Sequence, residues 1–287
     1  MIWCGRWSIG LATMPEPNEF TRKQSEEAIR LYNAYRHELD HSAIGGRFMP
    51  YHWWTLPDPL GGIWMAYSSM LSDYASELAN IINDLTHDVH RLRAWARVTA
   101  ALSNQEKLVA SHEFIDTLGT VALGRPYAIK SRFAYAAGHL CHQANMAKDL
   151  QGWRDEFPTE RALYLNHIDP ICRGWRRFRS FKRRVEPIAG TAFKEATEDF
   201  RNAYNHRFSA RLLIGMSAMV TRVVCADGRI CYGIGGSEPL NLDQIADLLA
   251  VERDHCYLAF TACQSLVEEH TGTITTFESE RERQGPP

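Results

Sequence analysis

Phe193 to Thr221, FKEATEDFRNAYNHRFSARLLIGMSAMVT, is the stretch whose reading decides the fold. Pro187 and Gly190 precede it, no proline interrupts it, and Phe193, Ala196, Phe200, Ala203 and Tyr204 recur at three-to-four spacing. That pattern predicts one continuous helix. At helical pitch, Arg201, Asn205, Ser209, Glu198, Asn202 and His206 share one face within roughly 140° of arc. Lys and Glu usually fill a solvated face, whereas Asn and His are poorer helix formers. The composition of this face therefore points to a task other than solubility.

Working outward, the 287-residue chain is 45% hydrophobic and 23% charged, enough for one large core or two modest ones. A formal net charge of −2 gives no global field toward nucleic acid or membrane, so an anionic partner needs a local patch. Seven cysteines, an odd number without a Cys-x-x-Cys, imply buried thiols in a reducing compartment and no disulfide framework. The first 15 residues lack a signal-type apolar core, and no stretch approaches the length of a membrane span. The expected setting is soluble and cytoplasmic, with no membrane partner.

Residues 1–58 read as an N-terminal extension. It has one charged helix from Asn18 to about Ser42, with the stripe Phe20, Ala28, Ile29, Tyr32 and Tyr35, and a Trp/Pro-rich linker containing His52-Trp53-Trp54. Residues 59–272 read as a helical bundle. Its first helix spans Trp64 to about Leu102, and Ser103 or Asn104 caps a second that ends before Gly124-Arg125-Pro126. Further helices are expected from Tyr127 to Leu150 and from Arg161 to Val185, the latter broken at Asp169-Pro170. Arg222 to Tyr232 has β-formers on both sides of Asp227-Gly228, a hairpin signature placed at 222–236. The glycines at 233, 235 and 236 form no phosphate loop, having no Gly-Lys-Ser/Thr and no βαβ setting. Asn241 and Gln244 start a last helix ending near His270 and Gly272, and 273–287 read as a polar tail. The expected class is all-α, a helical bundle with one small β-hairpin insertion.

Arg201 carries a permanent charge with a fork of donors suited to phosphate, and His206 can exchange a proton near neutral pH. RNA cleavage without metal needs a base for the 2′-hydroxyl, an acid for the leaving oxygen, and a cation for the developing charge. One Arg and one His per helix supply part of this, and a two-fold dimer doubles both. The plain alternative has Arg201 bonding a helix carboxylate and His206 serving as a satisfied surface or core group. The wording FRNAYNHR, with Asn202 directly after Arg201 and His206 four residues further, resembles the R-[polar]-x3-H signature of the HEPN superfamily. That resemblance covers only these few residues. It implies an all-helical, often dimeric fold and, in many members, a metal-independent RNase of toxin–antitoxin, phage-defence or RNA-processing systems; other members are non-catalytic. By the same resemblance Arg201 would hold the scissile phosphate, His206 would act as acid or base, Asn202 would orient them, and an antitoxin or other protein would be a partner. The hairpin of this chain departs from a minimal domain of that kind.

Residues 173–184, RGWRRFRSFKRR, place Arg173, Arg176, Arg177, Arg179, Lys182, Arg183 and Arg184 among Trp175, Phe178 and Phe181. Arginines beside aromatics suit RNA through phosphate contacts and stacking. Pairing with the acidic runs at 25–27 and 195–199 would instead leave an ordinary surface helix.

His37-Glu38-Leu39-Asp40-His41 spells H-E-x-x-H, the helical spacing of a zincin. Charged Arg36 and Asp40 surround it, and Ile44 and Arg47 stand where the extended form needs Gly and His. Pairing Glu38-x-x-His41 with Glu252-x-x-His255 gives half of a di-iron constellation but lacks the upstream carboxylate. No cofactor and no resident metal are expected. The leading expectation is an RNA-directed protein, with a non-catalytic binding or assembly module second and a metal-binding bundle third.

Overall fold

Two long helices, α2 (Met65–Ala100) and α9 (Leu242–Gln284), pack along one another and enclose the core with α4 (Asp116–Ala144). The structure, a computed structural model, describes residues 19–157 and 163–284. Residues 1–18, including Cys4 and the expected Asn18 cap, lie outside the described residues, as does Arg161. On α2 the buried side chains Leu71, Leu78, Ile82, Leu85, Val89 and Leu92 recur at helical spacing. Leu249, Cys256, Phe260, Val267 and Ile274 do the same on α9. The remaining order is α1 (Glu19–His41), α3 (Asn104–Ala110), α5 (Leu165–Cys172), α6 (Phe178–Val185), α7 (Thr191–Ala196), α8 (Phe200–His206) and the antiparallel strands β1 (Val220–Val224) and β2 (Ile230–Ile234). The class is all-α with one small hairpin, as the periodicity predicts. Among the described residues no helix is long and apolar enough to cross a membrane.

Several boundaries agree with the sequence. Ser103 and Glu106 form a reciprocal capping box at the start of α3. Asn241 Oδ1 accepts the amides of Asp243 and Gln244 at the head of α9. Asp227-Gly228 turns the hairpin, with Gly228 at φ +79°, a left-handed conformation natural to glycine.

Others differ. The expected helix from Phe193 to Thr221 is two short helices followed by irregular chain. The Thr197 hydroxyl donates to the Phe193 carbonyl at 2.8 Å, Glu198 and Asp199 turn left-handed at φ +53° and +50°, and α8 restarts at Phe200. After His206 the chain runs irregularly to Val220, where the strand begins, so Val220 and Thr221 belong to β1. Gly124-Arg125-Pro126 does not interrupt α4. Ala122, Leu123, Ile129 and Phe133 are buried on both sides of the proline, and their packing carries the helix through it. Asp169-Pro170 lies inside α5, and the break falls later, at residues 173–177. The tail read at 273–287 is helical to Gln284. Ile274 is fully buried, Phe277 meets the Trp64 ring edge-on at 5.6 Å, and Glu278 accepts the Trp64 indole N–H at 2.7 Å.

The N-terminal segment shares the central core. Leu31 and Tyr35 of α1 are buried, and Tyr35 stacks on Trp95 with centroids 4.6 Å apart, while Ile29 and Tyr32 of the expected stripe are exposed. Met49 is pinned to α2 by Asn83, which accepts its N–H and donates to its carbonyl. Gly138 lets α5 approach α4: a Cβ there would lie 2.7 Å from Ile168.

Two polar clusters sit in this core. Asp88, 1% exposed, receives Arg125 Nε at 2.5 Å. His270 is fully buried, its Nδ1 3.2 Å from the Tyr67 hydroxyl and its Nε2 3.5 Å from Cys141 Sγ. Burial, with Lys148 nearby, pushes the imidazole down to about 3. The folded state therefore refuses a proton that the unfolded chain accepts below its ordinary value of 6.5. Stability from this group is complete above that pH and is lost as pH falls toward the folded value, by up to ~1.4 kcal/mol per pH unit. Urea unfolding of His270→Gln between those limits is expected to show a flatter pH dependence than the parent. Ile274→Ala is expected to cost about 3 kcal/mol and exposed Thr275→Ala less than about 0.5, which equilibrium unfolding measures.

Candidate functional site

The basic stretch folds where its aromatics dictate. Trp175, Phe178, Phe181 and Val185 bury against the bundle, and the cations are divided between two flanks. Arg173, Arg176, Arg179, Lys182 and Arg183 line an open groove of about 1010 Å³ together with Asp169 and Glu186. Arg177 and Arg184 lie apart from it, in a shallow depression against Leu258 and Thr261 of α9. The sequence grouped all seven as one surface. The structure separates these two because the residues at 178, 181 and 185 form a buried seam that the cations flank.

What fixes α6 is its backbone. Glu269 of α9 accepts the Arg176 and Arg177 amides at 3.0 and 2.8 Å, placing a carboxylate at the start of the helix. At the other end buried Glu252 accepts the Ala189 amide at 2.6 Å, and burial raises its pKa above the ordinary carboxylate value. Lys130 of α4 donates to the Glu186 and Ile188 carbonyls at 2.6 and 2.8 Å. Burial, followed by the neighbouring Lys194, lowers its pKa. Among the described residues, Lys182 pairs with Asp169 at 2.5 Å and Arg176 reaches Glu269 at 3.6 Å, while Arg173, Arg179 and Arg183 form no ion pair. Of the acidic runs expected to neutralise the stretch, Glu26 pairs with Arg22 and Glu27 with Arg30, while Asp199 lies on the lining of the neighbouring cleft.

A second cleft, of about 670 Å³, adjoins the first and shares Lys182 and Glu186 with it. Tyr127, Lys130, Lys194, Asp199, Arg201, Asn202 and Tyr164 line it. The Arg201 guanidinium lies over the Tyr127 ring at 5.3 Å. The Tyr127 hydroxyl is buried and has no hydrogen-bond partner among the described residues. Asn202 Nδ2 donates to Asp199 Oδ2 at 2.9 Å, so it is oriented by its own helix cap and bonds neither Arg201 nor His206. His206 is the last residue of α8, exposed, and absent from the lining of this cleft. Arg201 and His206 therefore do not meet in one cleft of a single chain. Sequence reasoning missed Tyr127 and Lys130, which come from the distant α4, and Lys194 of the adjacent α7, none of which carries a local signature.

The H-E-x-x-H residues are occupied otherwise. His41 Nδ1 lies 2.8 Å from the His37 carbonyl, their rings stack at 4.2 Å, and Glu38 pairs with Arg97 at 2.9 Å. Glu252, with its Ala189 bond, does not join Glu38. Among the described residues no three His, Cys, Asp or Glu side chains are grouped as a metal centre requires. Among the described residues the cysteines divide in two. Cys141, Cys172, Cys256 and Cys263 are buried thiols, as expected, but Cys225 and Cys231 form a disulfide across the hairpin. The Asp-Gly turn brings the two arms together, which an odd count of cysteines concealed.

Comparison with protein-family models, curated proteins and solved structures returns no match for this chain. Tyr127→Phe removes an unpartnered buried hydroxyl. It is expected to leave stability unchanged or raise it by about 0.5–1 kcal/mol, measured by urea midpoint.

Proposed function

We propose that the protein is RNA-directed and that the adjoining clefts take a single-stranded RNA backbone, with one phosphate held at Arg201 beside Asn202. One observation supports this above others: the arginine-lined α6 groove adjoins, at Lys182 and Glu186, the cleft lined by Lys130, Lys194 and Arg201, and the cations outnumber the acids Asp169, Glu186 and Asp199 on the two linings. Phosphate contacts of this kind supply affinity without sequence preference. Tyr164, exposed at the rim, offers a face on which an unpaired base can stack.

Cleavage is the further part of the proposal. In a HEPN-like, metal-independent endoribonuclease, Arg201 would neutralise the scissile phosphate and His206 of a second copy would move the proton. The four buried thiols suit a cytoplasmic setting, against which the hairpin disulfide stands. A non-catalytic RNA-binding or assembly module is the second reading, favoured by the placement of His206 outside the cleft.

Fluorescence anisotropy with a single-stranded RNA tests the groove. Arg179→Glu with Arg183→Glu is expected to weaken binding and to reduce the slope of log K against log salt by about 1.4, two phosphate contacts at about 0.7 each. Arg177→Glu with Arg184→Glu is expected to change little. Salt-independent or absent binding by the parent protein removes the proposal. Incubation with RNA in EDTA separates the readings: cutting that His206→Ala abolishes while binding persists marks the nuclease, and intact RNA marks the module.

A further inference from the structure

All ten residues of β1 and β2 are exposed. Val220, Val224, Ile230, Tyr232 and Ile234 are 51–87% exposed, and the sheet has two strands only among the described residues. An isolated two-stranded hairpin is marginal in water, and three or more strands are normally required. A disulfide between the arms holds their geometry but covers none of this surface.

The backbone shows which edge is ready to pair. Cys225 N–H donates to the Arg229 carbonyl and Gly235 N–H to that of Met219, so the odd-numbered residues of the second arm bond inward. By the alternation of an antiparallel ladder, the N–H and C=O groups of Ile230, Tyr232 and Ile234 point outward. These three positions are symmetric about Tyr232. A copy related by a two-fold axis there would pair Tyr232 with Tyr232 and Ile230 with Ile234, every outward donor meeting an outward acceptor. β2 carries no charge and no proline, the usual devices that block edge pairing. On β1 the same operation centres on Arg222 and sets like charges opposite each other.

We propose that the β2 edge docks a second copy of this chain, the two hairpins joining antiparallel through Ile230–Ile234 into one four-stranded sheet. This dimer does not depend on RNA or on the basic groove, so its test is independent of the proposed function. Light scattering of the full chain without RNA, across a wide concentration range, is expected to show a dimer. Tyr232→Lys places two ammonium groups on the axis and is expected to raise the dissociation constant at least about tenfold. Ile234→Lys, at the outer end of the strand, is expected to act likewise. Helix content by circular dichroism and the disulfide by mass are expected to stay intact in both. Val224→Lys, on the far strand, is expected to leave the dimer. A parent protein monomeric throughout overturns the proposal. So does a dimer that survives both β2 substitutions, or one lost equally with Val224→Lys, which would mean stacking of hairpin faces.

Discussion

Two carboxylates on α9, Glu252 and Glu269, hold the ends of the segment that carries the basic groove, and they do so through backbone amides. Both are largely buried, and a buried carboxylate is costly unless hydrogen-bonded, so each amide bond has a strong thermodynamic reason to persist. The arginine side chains between them play little part in this clamp. A segment fixed by its main chain, with its aromatics turned inward, leaves its cations exposed. Lys130 completes the arrangement from α4 by binding the two carbonyls where α6 ends. The second cleft inherits its shape from that junction, since Lys130, Glu186 and Ala189 all line it.

The long helices were legible because burial along α2 and α9 follows helical spacing over many turns. So were Ser103 and Asn241, whose capping chemistry is local. The hairpin was legible from Asp227-Gly228 for the same reason. Misreadings arose where long-range packing outweighed a local signal. Pro126 and Pro170 sit inside helices whose flanking residues are buried. Gly272 does not end α9 because Ile274 and Phe277 pack beyond it, and the hydroxyls of Thr273, Thr275 and Thr276 bond carbonyls of the preceding turn. Conversely, Thr197 to Asp199 carry no proline or glycine, and nothing local in them signals the left-handed turn that Glu198 and Asp199 make.

The candidate site was legible in part. The cationic richness of 173–184 and the unusual polar face at 201–206 are plain in sequence, and Arg201 and Asn202 do line a cleft. Which cations share a surface was not legible, because it depends on how the buried seam of α6 faces α9. Nor was Tyr127 readable: its role comes only from the approach of α8 to α4. Five residues of separation place Arg201 and His206 roughly 140° apart around a helix. Whether such a pair converges is decided by neighbouring surfaces, not by spacing.

The division of the cysteines has a practical consequence. Burial raises the pKa of Cys141 and Cys256 and pushes Cys263 up to about 12, so these sulfurs remain protonated and shielded from electrophiles. The bond between Cys225 and Cys231 lies on an exposed arm. Mild reduction followed by alkylation would then label the described part of the folded protein at the hairpin alone, giving a spectroscopic reporter at a chosen place without engineering the sequence.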